Sequence, residues 1–107
     1  MSDSSSFVTV AKTDELKPGE MLYVEVGDAP VCLINLDGEY HAINDTCTHQ
    51  DASLSDGEIS GDEIECPLHG GAFNIRTGAP VCFPVVVAIE KYLVRVVGDD
   101  VQVAIAG

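Results

Sequence analysis

Two short segments of this chain carry the residues that can do chemistry. Cys47-Thr48-His49 is followed, after sixteen residues, by Cys66-Pro67-Leu68-His69, so a C-x-H and a C-x-x-H element each supply one thiol and one imidazole. Two thiolates and two imidazoles are the donor set of a [2Fe–2S] centre in which two cysteines hold one iron and two histidines hold the other. Pro67 after Cys66 and Gly70-Gly71 after His69 suit an irregular loop whose backbone amides can turn toward cluster sulfurs. A structural zinc site accepts the same Cys2His2 set. The usual zinc order puts both cysteines in one knuckle and both histidines in the other, often on a helix. Here each knuckle is mixed and nothing nearby reads as a helix. A disulfide reading is weaker again, because no hydrophobic leader marks the chain as secreted.

The remaining candidate donors read as structural. Cys32 lies in the apolar run Val31-Cys32-Leu33-Ile34, where it is a small buried hydrophobe. Cys82 is expected to pack, and His41, on a scaffold strand beside Tyr40, has no cysteine next to it and is expected to be structural or surface-exposed.

The elements that must position the four donors are all β. Alternating or apolar runs predict strands over Phe7–Ala11, Met21–Val26, Val31–Leu36 and Glu39–Ile43, then Val85–Ile89, Tyr92–Val97 and Val101–Ile105. Thr13–Leu16 reads as one helical turn closed by Lys17-Pro18-Gly19; Asp37-Gly38 and Gly98-Asp99-Asp100 read as turns. The polar, loop-rich block from Asn44 to Pro80 holds all four donors. Within it Gly57–Glu65 predicts a small hairpin leading to Cys66, Phe73 and Ile75 are expected to pack beneath the loops, and Arg76-Thr77-Gly78 is a turn. A rigid β base at both ends of the chain is what a site held on short loops requires. The 107 residues make one domain, 46% hydrophobic, with a polar start expected to fray over residues 1–6. The scaffold is expected over about 7–43 and 85–106, and a cluster-binding subdomain over about 44–84.

Eighteen acidic residues stand against five Lys and Arg, a formal net charge of −13. Nucleic acid and anionic membrane are therefore excluded as partners. Asp51, Asp56, Glu58, Asp62, Glu63 and Glu65 lie in or beside the donor segments. Such acids keep a small protein soluble, and near a cluster they also steer encounters with a partner.

Asp45–His49 together with Glu65–Gly71 resembles the Rieske ferredoxins of bacterial aromatic-ring-hydroxylating dioxygenases, and the likeness extends over nearly the whole chain. It implies the Rieske fold: an antiparallel β scaffold with an inserted cluster-binding subdomain, and one [2Fe–2S] cluster held by Cys47, His49, Cys66 and His69. It also implies a third loop over the cluster, where Pro84 sits in Val81-Cys82-Phe83-Pro84. High-potential relatives brace the cluster with a disulfide, but the matching positions here are Ala52 and Leu68. Where those relatives have hydroxyl donors to sulfur, this chain has Gly71 and Phe73. Fewer donors leave the reduced cluster less stabilised, which places the chain near the low end of the roughly −150 to +300 mV spanned by Rieske centres.

The resemblance implies a one-electron carrier, loaded by an NAD(P)H-dependent flavoprotein reductase and unloaded by a terminal oxygenase. It implies a cytoplasmic monomer without a catalytic site of its own. No apolar run approaches the about 20 residues of a membrane span, which argues against the membrane-anchored Rieske subunits of cytochrome bc complexes. A mononuclear iron held by two histidines and a carboxylate is excluded, since His41 alone remains after the cluster takes two of three histidines. His69–Asn74 with Ala52–Ser55 looks most like ferredoxins of carbazole-type systems. Two alternatives stay open: a Rieske subunit of another soluble enzyme, such as an assimilatory nitrite reductase, and a zinc-stabilised interaction module.

Overall fold

Strand β3 (Ala29–Leu36) is buried from Val31 to Leu36 on both of its faces, and the rest of the molecule is arranged around it. The computed structural model describes residues 7–48, 52–67, 71–82 and 87–105. Side chains alternate along a strand, and β3 uses that alternation to serve two cores. Val31 and Leu33 enter one with Ala42, Tyr92, Val101 and Val103. Cys32, Ile34 and Leu36 enter the other, with Leu54, Ile64 and Phe73.

The first core belongs to a six-stranded antiparallel sheet made of β1 (Val8–Lys12), β2 (Met21–Val26), β3, β4 (Glu39–Asn44), β9 (Lys91–Val97) and β10 (Asp100–Ala104). Its spatial order is β1-β10-β9-β4-β3-β2. Ala11 of β1 and Val26 of β2, at opposite edges, both reach this core, so the sheet curls over it. The β4–β9 seam is short, pairing Ala42 with Tyr92 and Ile43 with Lys91. The predicted turn between β3 and β4 is present, with Asp37 (φ 57°) and Gly38 (φ 96°) both at positive φ, as a tight hairpin requires. Buried Asn35 ties this corner together: its Oδ1 accepts the Gly38 N–H (2.8 Å) and its Nδ2 donates to the Leu16 carbonyl (2.8 Å).

The second core lies between this sheet and a four-stranded antiparallel meander of β5 (Glu58–Ser60), β6 (Glu63–Glu65), β7 (Ala72–Asn74) and β8 (Pro80–Cys82). The hairpin expected before Cys66 is β5–β6, with Glu58 opposite Glu65. The strands β7 and β8 fall where the sequence reads as loop. Three-residue strands leave almost no periodicity to detect, and β7–β8 pairing is further interrupted by a register shift.

The expected strand at Val85–Ile89 is not found over its described part. Val87 to Ile89 carries no strand, because the Ile89 N–H donates to the Gly78 carbonyl (2.8 Å) and the Ile89 side chain is buried in the cysteine-side core. Leu68, Phe83, Pro84 and the first six residues, about which the sequence made expectations, lie outside the described residues.

Candidate metal centre

Cys47 and Cys66 are brought together in one core, 4% and 2% exposed, with Phe73 and Ile75 fully buried in the same core. Their backbones are treated alike. The Cys47 N–H donates to the Ala52 carbonyl (2.9 Å), and the Cys66 N–H donates to the Gly71 carbonyl (2.6 Å). In each case the acceptor is the fifth residue on. One pair outward, Thr46 bridges Ser53, and Glu65 pairs with Ala72. The two segments are thus the same device built twice: an antiparallel pair closed by a cysteine, with a histidine in the loop it closes. His49 and His69 themselves lie outside the described residues, as does acidic Asp51. The described residues alone contain no group of three or more His, Cys, Asp or Glu able to hold a metal.

Several residues that sequence reasoning did not single out fix these loops. Gly57 ends the 3-10 turn Leu54–Asp56 that follows the first loop. A Cβ on Gly57 would stand 1.9 Å from the Glu65 carbonyl oxygen, one residue before Cys66, so only glycine lets the two loop bases meet. Thr48, between Cys47 and His49, donates its hydroxyl to the Val87 carbonyl (2.8 Å), fastening the first loop to the segment that follows Pro84 in sequence. Gly78 (φ 81°) lies against Ile89, whose carbonyl oxygen a Cβ would approach to 2.6 Å. A lone threonine or a glycine at a close approach carries no distinctive sequence signal, so nothing in the composition around them points to these roles.

A polar joint clamps the small sheet to the large one. Arg76, in the turn between β7 and β8, pairs with Glu39 of β4 and with Asp62 of the β5–β6 turn (3.4 Å). Lys91 of β9 donates to the Arg76 carbonyl (2.7 Å) and stands 3.3 Å from His41 Nδ1. The pairing with Arg76 holds the Glu39 carboxyl below the ordinary range. Partial burial, then the Lys91 ammonium, push His41 below its ordinary 6.5. His41 is thus structural, as expected, and engaged away from the cysteines. Cys32 is a buried thiol pushed upward by burial and then by the nearby Asp45 charge, which suits packing and not ligation. The acids of the donor segments that are described lie at the surface: Asp56, Glu58, Asp62 and Glu65 are exposed and Glu63 is partly so.

The matched cysteine loops have a counterpart among known proteins, since the family model for the Rieske [2Fe-2S] domain matches residues 6–93. The chain belongs to the Rieske [2Fe–2S] family. The cofactor this family implies is one Rieske cluster. The site fits it: two buried thiols rise from equivalent loops, and each loop contains one histidine in sequence. Membership also separates the chain from zinc knuckles with the same donor count. The ferredoxin component of biphenyl 2,3-dioxygenase from Rhodococcus jostii (strain RHA1) is 40% identical over 98 residues, covering 92% of each chain. The ferredoxin of carbazole 1,9a-dioxygenase from Nocardioides aromaticivorans IC177 superposes with a TM-score of 0.90 at 38% identity, over 94% of this chain and 99% of that one. A solved complex of reduced oxygenase and oxidized ferredoxin in carbazole 1,9a-dioxygenase contains a match at TM-score 0.88 and 41% identity, covering 92% of this chain and 93% of that one. These Rieske relatives bear out the all-β fold.

Proposed function

We propose that this chain is the one-electron ferredoxin component of an aromatic-ring dioxygenase system, with Cys47, His49, Cys66 and His69 as the four cluster ligands. The single Rieske domain spans 1–107, with the ligands in the subdomain at about 44–84. The observation that carries the reading is the duplicated cysteine loop, since two equivalent Cys-closed loops with one His each can together give two thiolates to one iron and two imidazoles to the other. When bound, the cluster supplies reversible one-electron transfer. The chain's residues do the rest. Cys47 and Cys66 present their thiolates from a core that excludes water. The paired backbone bonds at Ala52 and Gly71 hold the loop bases still, so that little rearranges when charge changes. His49 and His69 form the path by which the electron leaves.

The donor is a flavoprotein reductase using NAD(P)H and the acceptor is the terminal oxygenase of the same system; that known ferredoxins of 38–41% identity serve carbazole and biphenyl oxygenases supports this assignment. Relatives with different aromatic substrates are about equally similar, so carbazole is only one candidate. A carrier touches partners and not substrate. The protein works as a cytoplasmic monomer with no catalytic site. Among the described residues no helix is long and apolar enough to cross a membrane.

The test is direct. The purified chain should be red-brown, contain two irons and two acid-labile sulfides, accept one electron from the reductase and support ring dihydroxylation by the cognate oxygenase. A colourless protein carrying zinc would overturn the cluster assignment. A loaded protein that supports a nitrite reductase and no dioxygenase would overturn the partner assignment.

A further inference from the structure

Asp45 is the only buried carboxylate among the described residues, 1% exposed and two residues before Cys47. Three hydrogen bonds fix it at the base of the first loop. Its N–H donates to the Pro30 carbonyl (3.0 Å), its carbonyl accepts the Leu54 N–H (2.6 Å), and its Oδ1 accepts the Ser55 N–H (2.9 Å). No ion pair involves it among the described residues, and one N–H is weak recompense for burying a charge. Pinning Ser55 requires only an acceptor, which a neutral Asn would also supply. What the carboxylate supplies beyond such an Asn is its charge. It reaches the cysteine-side core, since it adds to the effect of burial in pushing up the thiol of Cys32, which packs in the same core as Cys47 and Cys66.

We propose that the buried Asp45 carboxylate sets the reduction potential of this centre, holding it low by opposing the arrival of an electron at the loops it supports. An electron from the reductase adds one negative charge close to a fixed negative charge in a poorly screened interior, so the oxidised state is favoured. Asp45 itself gains and loses nothing. It is a positioning residue for the first loop and an electrostatic residue for the electron. The inference rests on the cluster reading above; a wild-type chain that holds no iron–sulfur cluster would refute that reading, whereas the following comparison addresses Asp45 alone.

Midpoint potentials would be measured by protein-film voltammetry on holoprotein carrying Asp45→Asn and, as a control, Asp56→Asn. Both remove one negative charge, but Asp56 is exposed in the adjoining turn. We expect Asp45→Asn to raise the equilibrium constant for reduction about tenfold, about 59 mV, with the g-values of the reduced cluster unchanged, and Asp56→Asn to move it far less. Equal shifts in the two variants would make the effect one of net charge and overturn the proposal. So would no shift in Asp45→Asn, or a shift accompanied by altered g-values. If Asp45→Asn fails to retain iron and sulfide, Asp45→Ser is the second neutral variant. Failure of both to load would show that the carboxylate builds the loop and does not tune it, which also overturns the assignment.

Discussion

The two cores that share β3 are built on different terms. The core under the large sheet is lined by long strands, five to eight residues each, and filled with aliphatic side chains such as Leu33, Val101 and Val103. Its geometry follows from continuous backbone pairing and apolar alternation. The cysteine-side core is closed by strands of three residues, two loops and a 3-10 turn. It places two thiols beside Phe73 and depends on glycines at contacts no Cβ could survive. Hydrophobic burial and regular backbone pairing maintain the first. The second is held by loop geometry and by whatever the cysteines bind, because ligand-bond energy at such a site is also folding energy. One strand supporting both cores means that the rigid region supplies the floor on which the less regular one is set.

The hardest test of this contrast removes a ligand. Cys47→Ser and Cys66→Ser should each abolish iron and acid-labile sulfide content, as should His49→Ala and His69→Ala. Hydrogen exchange should then show amides of β6 and β7 losing protection while those of β3 and β4 keep it. Loss of protection in both sheets together would mean the two cores form one cooperative unit.

The reciprocal experiment truncates the other core. Leu33→Ala should destabilise the protein by about 2–5 kcal/mol, read from denaturant unfolding, while the visible spectrum of the folded fraction stays unchanged. A spectral change at full folding would show that the large-sheet core reaches the cluster.

Phe73→Tyr sharpens the comparison from the cysteine side. It adds a hydroxyl at nearly constant shape in the fully buried position beside both cysteines. A donor to sulfur stabilises the reduced cluster more than the oxidised one. The expected result is a potential raised by tens of millivolts, where a gain of about 1.4 kcal/mol corresponds to about 59 mV. An unchanged potential with the hydroxyl seen at sulfur in a crystal structure would leave the potential to be set by charge and solvent exposure.

The smallest effect is expected at the joint between the sheets. His41 is pushed below 6.5, so the unfolded chain binds its proton more readily than the folded one. Stability should therefore fall as pH drops below 6.5, through the window down to the folded value, and level off below it. The lowered Glu39 acts in the same direction at lower pH, losing its contribution as its carboxylate protonates. Replacing His41 by Gln should remove the first part of this slope, measured as the difference in unfolding midpoint between pH 7.5 and pH 5.5. The same slope in wild type and variant would assign it to other groups.

Much of this protein was determined by its residues in order. The mixed C-x-H and C-x-x-H spacing pointed to the proposed donor set, and with it to a cluster and not a knuckle. Alternating or continuously apolar runs marked the long strands of the large sheet, and Asp37-Gly38 its hairpin, because apolar strand patterns and positive-φ turns leave local marks. The short strands β7 and β8 left none, and the strand expected at Val85–Ile89 is absent over its described part, where Ile89 packs into the cysteine-side core while Val87 is exposed. Only the tertiary structure decided that the two cysteine segments are one device used twice, that Gly57 lets their bases touch, that Thr48 fastens the loop and that Asp45 is buried without a counter-charge. The reason is physical. A ligand's chemical type and a strand's alternation are properties of neighbours in sequence, whereas a close approach, a paired loop or a desolvated charge exists only between segments that folding brings together.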